Sequence, residues 1–541
     1  MRKWLLILSA LIVVLLGIVL LRAWWPLLDV AIAVSKETTY VTEPLNPDGT
    51  VDYVAAYNRR IGADVATSDN MAVRIIGVLG PGALSAEVRE PAAAALGVTF
   101  SESRRGFVRL ADHLNANLDD YGSLIPPQDE QAAESEDERW RREVVMKGLG
   151  DRYRQRAPLE ELADSQVAQA TTGPWSASDL RIVADWIAVN EAVLDEISAL
   201  DRGTKFVVPM VSPANPPEFL HPAVLDADVI RDLWQTLVCR AMLRLGRDDI
   251  AGAWDDALLM CYLGRLMMGG GSGGHPYQGL VPRTEGLRII RLIAGRADLA
   301  SAQAIDMLRQ YQALPAAGSP AEADVLISRL TSLDFVMQLV RGGTPMQSSG
   351  VDVAPPVLGS FDPNDVMRRI NSVYDDIEAV ATHPDLHQRM ARAPAVAAAN
   401  RALLSALERR MLPDNFLEFA TLRLSPTARR EFSNDALVWH LLAMMMMDAT
   451  ATSTDVQAVM NDESASIALA LAAHKAEHGR YPGDLDDLVP SYLPVVPRDL
   501  FTGERLHYKR DGERYRVWSV GRNLRDDGGD GEDDLVLAAD D

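Results

Sequence analysis

An unbroken apolar run opens the chain. The segment from Leu5 to Leu21 contains no charged side chain. As an α-helix, at about 1.5 Å per residue, it would span ~26 Å, close to the ~30 Å hydrocarbon core of a bilayer. Trp4 and the pair Trp24–Trp25 flank the run, as aromatic residues do at membrane interfaces. The pattern predicts a transmembrane helix through residues 5–21, within an anchor segment covering residues 1–30.

The charges around this run predict its orientation. Arg2 and Lys3 precede it, and positive residues favour the cytoplasmic side. The bulk of the chain is then expected outside the cytoplasm, on a single-pass protein of the cell (inner) membrane. A cleaved signal peptide is the alternative, but no small-x-small cleavage site follows the run. An uncleaved signal anchor is the favoured interpretation.

Helical periodicity dominates residues 31–455, which we predict to be an α-helical region. Leu180, Val183, Ile187, Leu194 and Ile197 form one apolar stripe, which Asn190 interrupts. Ser176 followed by Asp179 predicts the start of this helix. The fold class is therefore expected to be mainly α.

The segment from Ala241 to Trp254 is similar to the turn of a tetratricopeptide-type helical hairpin. A Leu-Gly end is followed by an acidic turn and by a small residue in the second helix. There is no 34-residue period, so the similarity predicts helical hairpins rather than a repeat family. Stacked hairpins usually present surfaces to protein partners, and a protein partner is accordingly expected.

Two loops rich in glycine interrupt the helical region. Gly269 to His275 lacks the Gly-Lys-Ser/Thr sequence of a phosphate-binding loop and is interpreted as a connector. The segment 341–363 is rich in Gly, Pro and Ser, and it is a candidate boundary between two lobes.

Composition excludes one class of partner. Lysine and arginine number 53 against 76 acidic residues, which gives a formal net charge of -23. Such a chain repels phosphate backbones, so no nucleic-acid partner is expected. Cys239 and Cys261, the only cysteines, are expected on consecutive helices, either as buried free thiols or as a single disulfide bridge.

The sequence HKAEH, from His474 to His478, has two incompatible interpretations. As H-x-x-E-H it would supply two zinc ligands and the glutamate of a zinc-dependent peptidase. As a helix end, it is followed by Gly479, which can adopt the left-handed conformation that ends helices, and by Pro482, which prevents the helix from resuming. The second interpretation is favoured, with a helix predicted from Ser464 to Glu477.

The remainder of the chain predicts a small α+β module covering residues 456–541. Asp511-Gly512 lies between two alternating segments, which predicts a hairpin with Asp-Gly at the centre of a type I′ turn. The order of elements resembles the C-terminal globular domain of the major pseudopilin of type II secretion. The matching positions are Gly479-Arg-Tyr481-Pro482, Asp499 to Gly503, Tyr508, Tyr515, Ser519-Val-Gly521 and Asp526 to Asp534. The whole chain also resembles membrane-anchored bacterial proteins that carry this segment.

The acidic end of the module is a candidate calcium site. Carboxylates and carbonyls are the oxygen ligands that calcium prefers, and glycines allow a loop to curl around a cation. The pseudopilin resemblance implies Asn523, Asp533 and Asp534 as ligands, with the Val520 carbonyl; Asp526 and Asp527 lie in the same cluster. A solvated acidic tail is the alternative.

Spacing alone predicts no nucleophile–base pairing. We therefore expect a non-enzymatic envelope protein that acts as a scaffold or binds partners and is associated with secretion, with a zinc-dependent peptidase as the alternative.

Overall fold

The structure is a computed structural model. It describes residues 30–62, 68–100, 106–124, 151–219, 224–269, 276–296, 298–342, 361–412, 425–445, 450–529 and 534–539. The predicted membrane segment, residues 5–21, lies outside the described residues, as does most of the glycine-rich loop. Among the helices of the described ranges, none combines the length and the apolar character needed to cross a bilayer.

The described part of the chain is mainly helical, as predicted. Its helices, numbered α1 to α16, are Tyr53–Ile61, Met71–Leu79, Arg89–Leu96, Leu110–Ala116, Leu118–Tyr121, Asp151–Thr172, Arg181–Ala199, Ala227–Gly246, Ile250–Met267, Leu280–Ala294, Ser301–Gln312, Pro320–Val340, Pro363–Ala381, Leu386–Met411, Pro426–Met445 and Thr450–His478. Three strands follow, β1 (His507–Asp511), β2 (Arg514–Ser519) and β3 (Leu535–Ala539).

The predicted hairpin is formed by α8 and α9, which pack against each other. The chain turns between them at Asp248, whose φ is 58°, and the Asp249 side chain caps α9 by accepting a hydrogen bond from the Gly252 N–H. Cys239 and Cys261 lie on these two consecutive helices. Both are buried free thiols, so the disulfide alternative is excluded in this structure.

Helix α7 begins later than Ser176 and Asp179 predict. Ser176 and Asp179 form a turn of their own, closed by a 2.8 Å hydrogen bond between their side chains, and α7 begins at Arg181. Asn190, which interrupts the apolar stripe, is fully buried. Its side chain donates to the Val108 carbonyl and accepts from the Val108 N–H. Asn190 therefore interrupts the apolar stripe with a buried polar side chain, and its two hydrogen bonds hold the backbone at Val108 against α7.

The buried apolar residues form two clusters. The larger one includes α2, α7 to α11 and most of α16. The second one includes α1, α12, α13 and part of α15. Helices α12 and α13, on either side of the 341–363 loop, pack against each other within this second cluster. That loop joins two parts of one cluster, and the division of the helical region into lobes stays a prediction.

Helix α16 is longer than the predicted Ser464–Glu477 and ends one residue later, at His478. Gly479 follows with φ 74°, and its N–H donates to the Lys475 carbonyl, as expected for a left-handed helix end. Residues of α16 and of β2, among them Ile467 and Val517, belong to the larger cluster of the helical body. The C-terminal segment and the body thus share one core.

The C-terminal strands form one antiparallel sheet in the order β1-β2-β3. The β1–β2 hairpin is predicted correctly, but its centre is shifted by one residue. Asp511 pairs with Arg514, so Gly512 and Glu513 form the turn. Gly512 has φ 59°, whereas Glu513 does not adopt a positive φ. Glycine at the first central position with an ordinary second residue is typical of a type II′ turn, not the predicted type I′ turn.

Candidate functional site

The HKAEH segment lies in the last turn of α16, where the two histidine rings stack with a centroid distance of 4.2 Å. The Nδ1 of His474 is 3.1 Å from the Arg480 carbonyl, and the Nδ1 of His478 is 3.1 Å from the His474 carbonyl. The Tyr492 hydroxyl donates to the Glu477 carboxylate at 2.5 Å. The histidines therefore satisfy carbonyl groups at the helix end.

A peptidase zinc centre needs a third protein ligand. In the part of the chain that the structure describes, no three His, Cys, Asp or Glu residues converge as metal ligands. Glu477, the residue expected to act as the base, has its carboxylate engaged by Tyr492. The geometry thus brings His474 and His478 together but adds no further ligand from the described residues.

In the acidic loop, the Asp534 side chain organises the backbone. Its Oδ2 accepts hydrogen bonds from the N–H groups of Asp527 (3.0 Å) and Gly529 (2.8 Å). Its Oδ1 is buried and has no hydrogen-bond partner in the described part of the structure. Gly528 and Gly529 both adopt positive φ, which allows the loop to fold back over this carboxylate.

The other predicted ligands have different partners. The Asn523 Oδ1 accepts from the Arg525 N–H. The Asp526 carboxylate accepts from Trp518 Nε1 at 2.9 Å and lies 3.3 Å from His507 Nδ1. These contacts hold the pKa of Asp526 below its usual value, with the Trp518 hydrogen bond as the largest cause.

Asp527, Val520 and Asp533 are the remaining residues of the candidate calcium site. The Asp527 carboxylate accepts from the Asn523 amide at 3.3 Å. The Val520 N–H donates to the buried Asp499 carboxylate, and Asp533 lies outside the described residues. Among the predicted ligand residues that the structure describes, Asp534 has the one buried side-chain oxygen without a hydrogen-bond partner, its Oδ1. Calcium binding in this loop stays a prediction.

One mostly buried ionic cluster was not predicted from the sequence. It surrounds Asp462 of α16, whose carboxylate lies 2.8 Å from Arg283 of α10 and 3.3 Å from Arg265 of α9. The Tyr311 hydroxyl of α11 donates to the same carboxylate at 2.7 Å. One acidic side chain therefore connects four helices.

Glu463, next to this cluster, has an unusual environment. Its Oε2 is buried and has no hydrogen-bond partner in the described part of the structure. Burial, and secondarily the charge of Asp462, raises the pKa of Glu463 to about 7. Unlike Asp462, it has no arginine partner among the residues that the structure describes.

Two further arginine–carboxylate clusters connect helices. Asp256 of α9 is fully buried and contacts Arg240 at 2.6 Å and Arg244 at 2.9 Å, both on α8. Asp455 of α16 lies 3.2 Å from Arg389 of α14. Arginines four residues apart within an apolar helix, such as Arg240 and Arg244, are the sequence signal that indicates such a buried cluster.

These clusters have the properties of structural contacts. Each carboxylate is paired with arginine, which stays protonated and is a poor proton donor or acceptor in catalysis. The buried thiols of Cys239 and Cys261 have pKa values raised to about 12, chiefly by burial, so they are not nucleophiles near neutral pH. No family model, curated protein or solved structure matches the chain.

Proposed function

We propose that the chain is a non-enzymatic, single-pass envelope protein that binds protein partners, and that its helical body is a rigid scaffold that carries the C-terminal module. The observation that supports this most is the course of α16. It packs against helices of the body, contacts them through Asp455 and Asp462, and continues into the C-terminal module as far as His478. A module held in this way keeps a fixed orientation on the body.

The segment after the proposed membrane anchor is also fixed to the body. The Asn364 side chain accepts from the Ala33 N–H at 2.7 Å and donates to the Ala31 carbonyl at 2.9 Å. The Asn371 side chain donates to the carbonyls of Glu37 and Thr38. Both asparagines belong to α13, so side chains of this helix hold the backbone of residues 31–38 through hydrogen bonds.

These contacts limit how far the body can lie from the membrane. Few residues separate the end of the apolar run at Leu21 from the fixed residue Ala31. Even a fully extended chain of ten residues reaches only about 35 Å. In the proposed topology, the second cluster is the part of the body nearest the bilayer, and the anchor does not act as a long free tether.

The partner surface that we favour is on the C-terminal module. Val495 and Leu524 are 68% and 61% exposed. Leu524 also has φ 59°, a conformation that is costly for a bulky side chain and occurs preferentially at functional sites. An exposed apolar side chain held in a strained backbone conformation is a reasonable contact residue for a protein partner.

Two measurements test the proposal in cells. A reporter that is active only outside the cytoplasm, fused after Asp541, is expected to be active. A photo-crosslinking residue at position 495 or 524 is expected to give discrete adducts with a protein of fixed size. The matched control positions are Val281 and Leu412, which are 59% and 65% exposed on the helical body.

The results separate the two classes of function. A cytoplasmic reporter signal would reverse the topology. The absence of adducts at all four positions, together with zinc-dependent peptide hydrolysis by purified protein that is lost in Glu477→Gln, would replace the scaffold by the peptidase. Adducts only at the control positions would retain a scaffold but move the partner surface to the helical body.

A further inference from the structure

We propose that β1 is a docking edge for an acidic segment of another protein, which adds to the sheet as a further antiparallel strand. This inference goes beyond the scaffold function, because it names a surface and a chemical class of partner and does not depend on the membrane topology. It rests on the open backbone edge of β1 and on the charges of its side chains.

The register of the β1–β2 hairpin determines which backbone groups of β1 face outward. Asp511 pairs with Arg514 across a turn of two residues, and the pair that closes such a turn exchanges both of its N–H···O bonds. Hydrogen-bonded pairs alternate along an antiparallel ladder, so Lys509 also bonds to β2 through its backbone. The N–H and C=O groups of Tyr508 and Arg510 therefore point away from β2.

No other backbone segment of the described chain pairs with this edge. β1 stands at the end of the strand order β1-β2-β3 and pairs with β2 alone. Among the described residues, no loop or isolated bridge forms a backbone hydrogen bond with Tyr508 or Arg510. Lys509, Arg510 and Asp511 are exposed. An exposed row of unpaired N–H and C=O groups is a template for pairing with another strand.

The charges of the hairpin select the kind of strand that can bind. The segment from Lys509 to Arg516 contains four basic and two acidic side chains, in a protein whose formal net charge is -23. Lys509 lies directly opposite Arg516, and like charges in this position are destabilising. Lys509 has no carboxylate partner among the residues that the structure describes. An acidic side chain beside Lys509 would offset the repulsion, so the edge favours an acidic strand.

The same charges disfavour a second copy of this chain as the occupant. If two β1 strands paired in antiparallel orientation through their outward groups, Tyr508 of one copy would lie opposite Arg510 of the other. Lys509 would then face its own counterpart, and like charges directly opposite each other are destabilising. Lysine on an edge strand commonly prevents self-association in this way. It does not prevent the approach of an acidic strand.

The side chains of β1 also define the alternation expected in the partner. Successive residues of a strand point to opposite faces of the sheet, so the acidic residue beside Lys509 lies on the outer face. On the inner face, Tyr508 is half-buried, and its hydroxyl donates to the Pro482 carbonyl at 2.9 Å. A β-branched side chain packs well against such a ring. The expected partner segment therefore alternates acidic and β-branched residues.

The test uses the purified full chain in detergent and a short, acetylated, fluorescent peptide of alternating valine and glutamate, with binding measured by anisotropy. One peptide per chain should bind, more weakly as salt is added. Lys509→Glu should weaken binding roughly two- to thirtyfold, because an attractive cross-strand pair becomes a repulsive one. Lys36→Glu, at an exposed lysine outside the module, is the matched control and should bind as the unmodified protein does. Unfolding curves verify that both variants are folded.

Methylation of the peptide backbone distinguishes strand addition from charge attraction alone. In antiparallel pairing, the residues opposite Tyr508 and Arg510 exchange the hydrogen bonds, and the residue opposite Lys509 points its N–H away from β1. Methylation of the valine nitrogens should therefore abolish binding, whereas methylation of the glutamate nitrogens should leave it intact. The two peptides carry the same charge, and the protein is unmodified.

Three results would each overturn the proposal. They are equal binding of the two methylated peptides, unaltered binding by Lys509→Glu, and no binding of the unmethylated peptide to the unmodified protein. Lys509 would then serve only to protect the edge from self-association. None of these results bears on the crosslinks at positions 495 and 524, which test the scaffold function separately.

Discussion

The Asp462 Oδ2 lies 2.8 Å from the Arg283 Nη2, although 179 positions separate the two residues along the chain. The Arg283 side chain is 2% exposed, so this guanidinium has almost no access to water. Its charge is balanced inside the protein by an acid from the helix that leads into the C-terminal module. The contact therefore couples the stability of the body to the correct position of α16.

Asp462→Ala should destabilise the protein by about 3–5 kcal/mol, because removal of one partner leaves a buried charge uncompensated. Asp462→Asn should cost less, since the amide oxygen can still accept from the Tyr311 hydroxyl. Denaturant unfolding of the full chain measures both. Asp298→Ala is the control, because Asp298 pairs with Arg296 at the surface and is 61% exposed. Equal effects of Asp462→Ala and Asp298→Ala would show that Asp462 is not a buried contact.

Glu463 should make the folded protein less stable as the pH rises. A carboxylate paired with arginine has the opposite effect, because its pKa is lowered by folding. The pKa of Glu463 is raised to about 7 in the folded protein by burial and by Asp462, and it is near 4.3 in an unfolded chain, an approximate value. Between these two values the folded state binds more protons. The contribution of Glu463 to stability is therefore greatest below about pH 4 and falls as the pH rises towards 7.

Glu463→Gln removes this titration while retaining a side chain of similar size. The variant should equal the unmodified protein at low pH and exceed its stability at pH 8 by up to roughly 3 kcal/mol. The difference between the two unfolding free energies, measured from pH 4 to 8, isolates this residue from all other titrating groups. A constant difference across that range would exclude a raised pKa for Glu463.

The sequence predicted those features that depend on neighbouring residues. The hairpin of α8 and α9 follows from a local turn signal, and the end of α16 follows from Gly479, whose positive φ was expected. The centre of the β-hairpin was wrong by one residue because Asp-Gly is compatible with two turn types, and only the pairing of Asp511 with Arg514 distinguishes them.

Features that depend on distant residues could not be predicted in this way. Nothing in the local sequence of Asp462 indicates Arg265, Arg283 and Tyr311 as its partners. The acidic loop gives a similar lesson. The pseudopilin resemblance implied Asn523 and Asp534 as ligands, and Asp526 lies in the same acidic cluster. In the structure, backbone N–H groups and Trp518 donate hydrogen bonds to oxygens of these three side chains. The sequence does not show which oxygens are engaged in this way.

Calcium at millimolar concentration should raise the melting midpoint of the full chain, if Asp534 Oδ1 completes a site with Asp533, and Asp534→Ala should abolish that rise. The isolated C-terminal segment is unsuitable for this test, because α16 packs into the core of the body. Asp511→Ala, at the hairpin of the same module, is the control and should retain the rise. An identical midpoint with calcium and with chelator would leave the loop as a solvated acidic segment.

Gly286→Ala should destabilise the protein even though alanine is the better helix former. Helices α9 and α10 approach closely at this residue, and a Cβ there would lie 2.7 Å from the Ala257 carbonyl oxygen and 2.7 Å from the Cys261 Sγ. The helices must separate to relieve the contact. Overpacking of this kind costs about 1–3 kcal/mol, and at two contacts of 2.7 Å we expect the upper part of this range, which exceeds the roughly 1 kcal/mol that alanine gains over glycine in a helix.

Gly77→Ala is the matched control for this prediction. Gly77 lies inside α2, and a Cβ at this position would meet no atom within 4 Å. The substitution should therefore stabilise the protein by up to about 1 kcal/mol, through helix propensity alone. Thermal and denaturant unfolding of both variants should give changes of opposite sign. If Gly286→Ala stabilised the protein as Gly77→Ala does, the close approach of α9 and α10 would be wrong, and with it the position of Arg283 opposite Asp462.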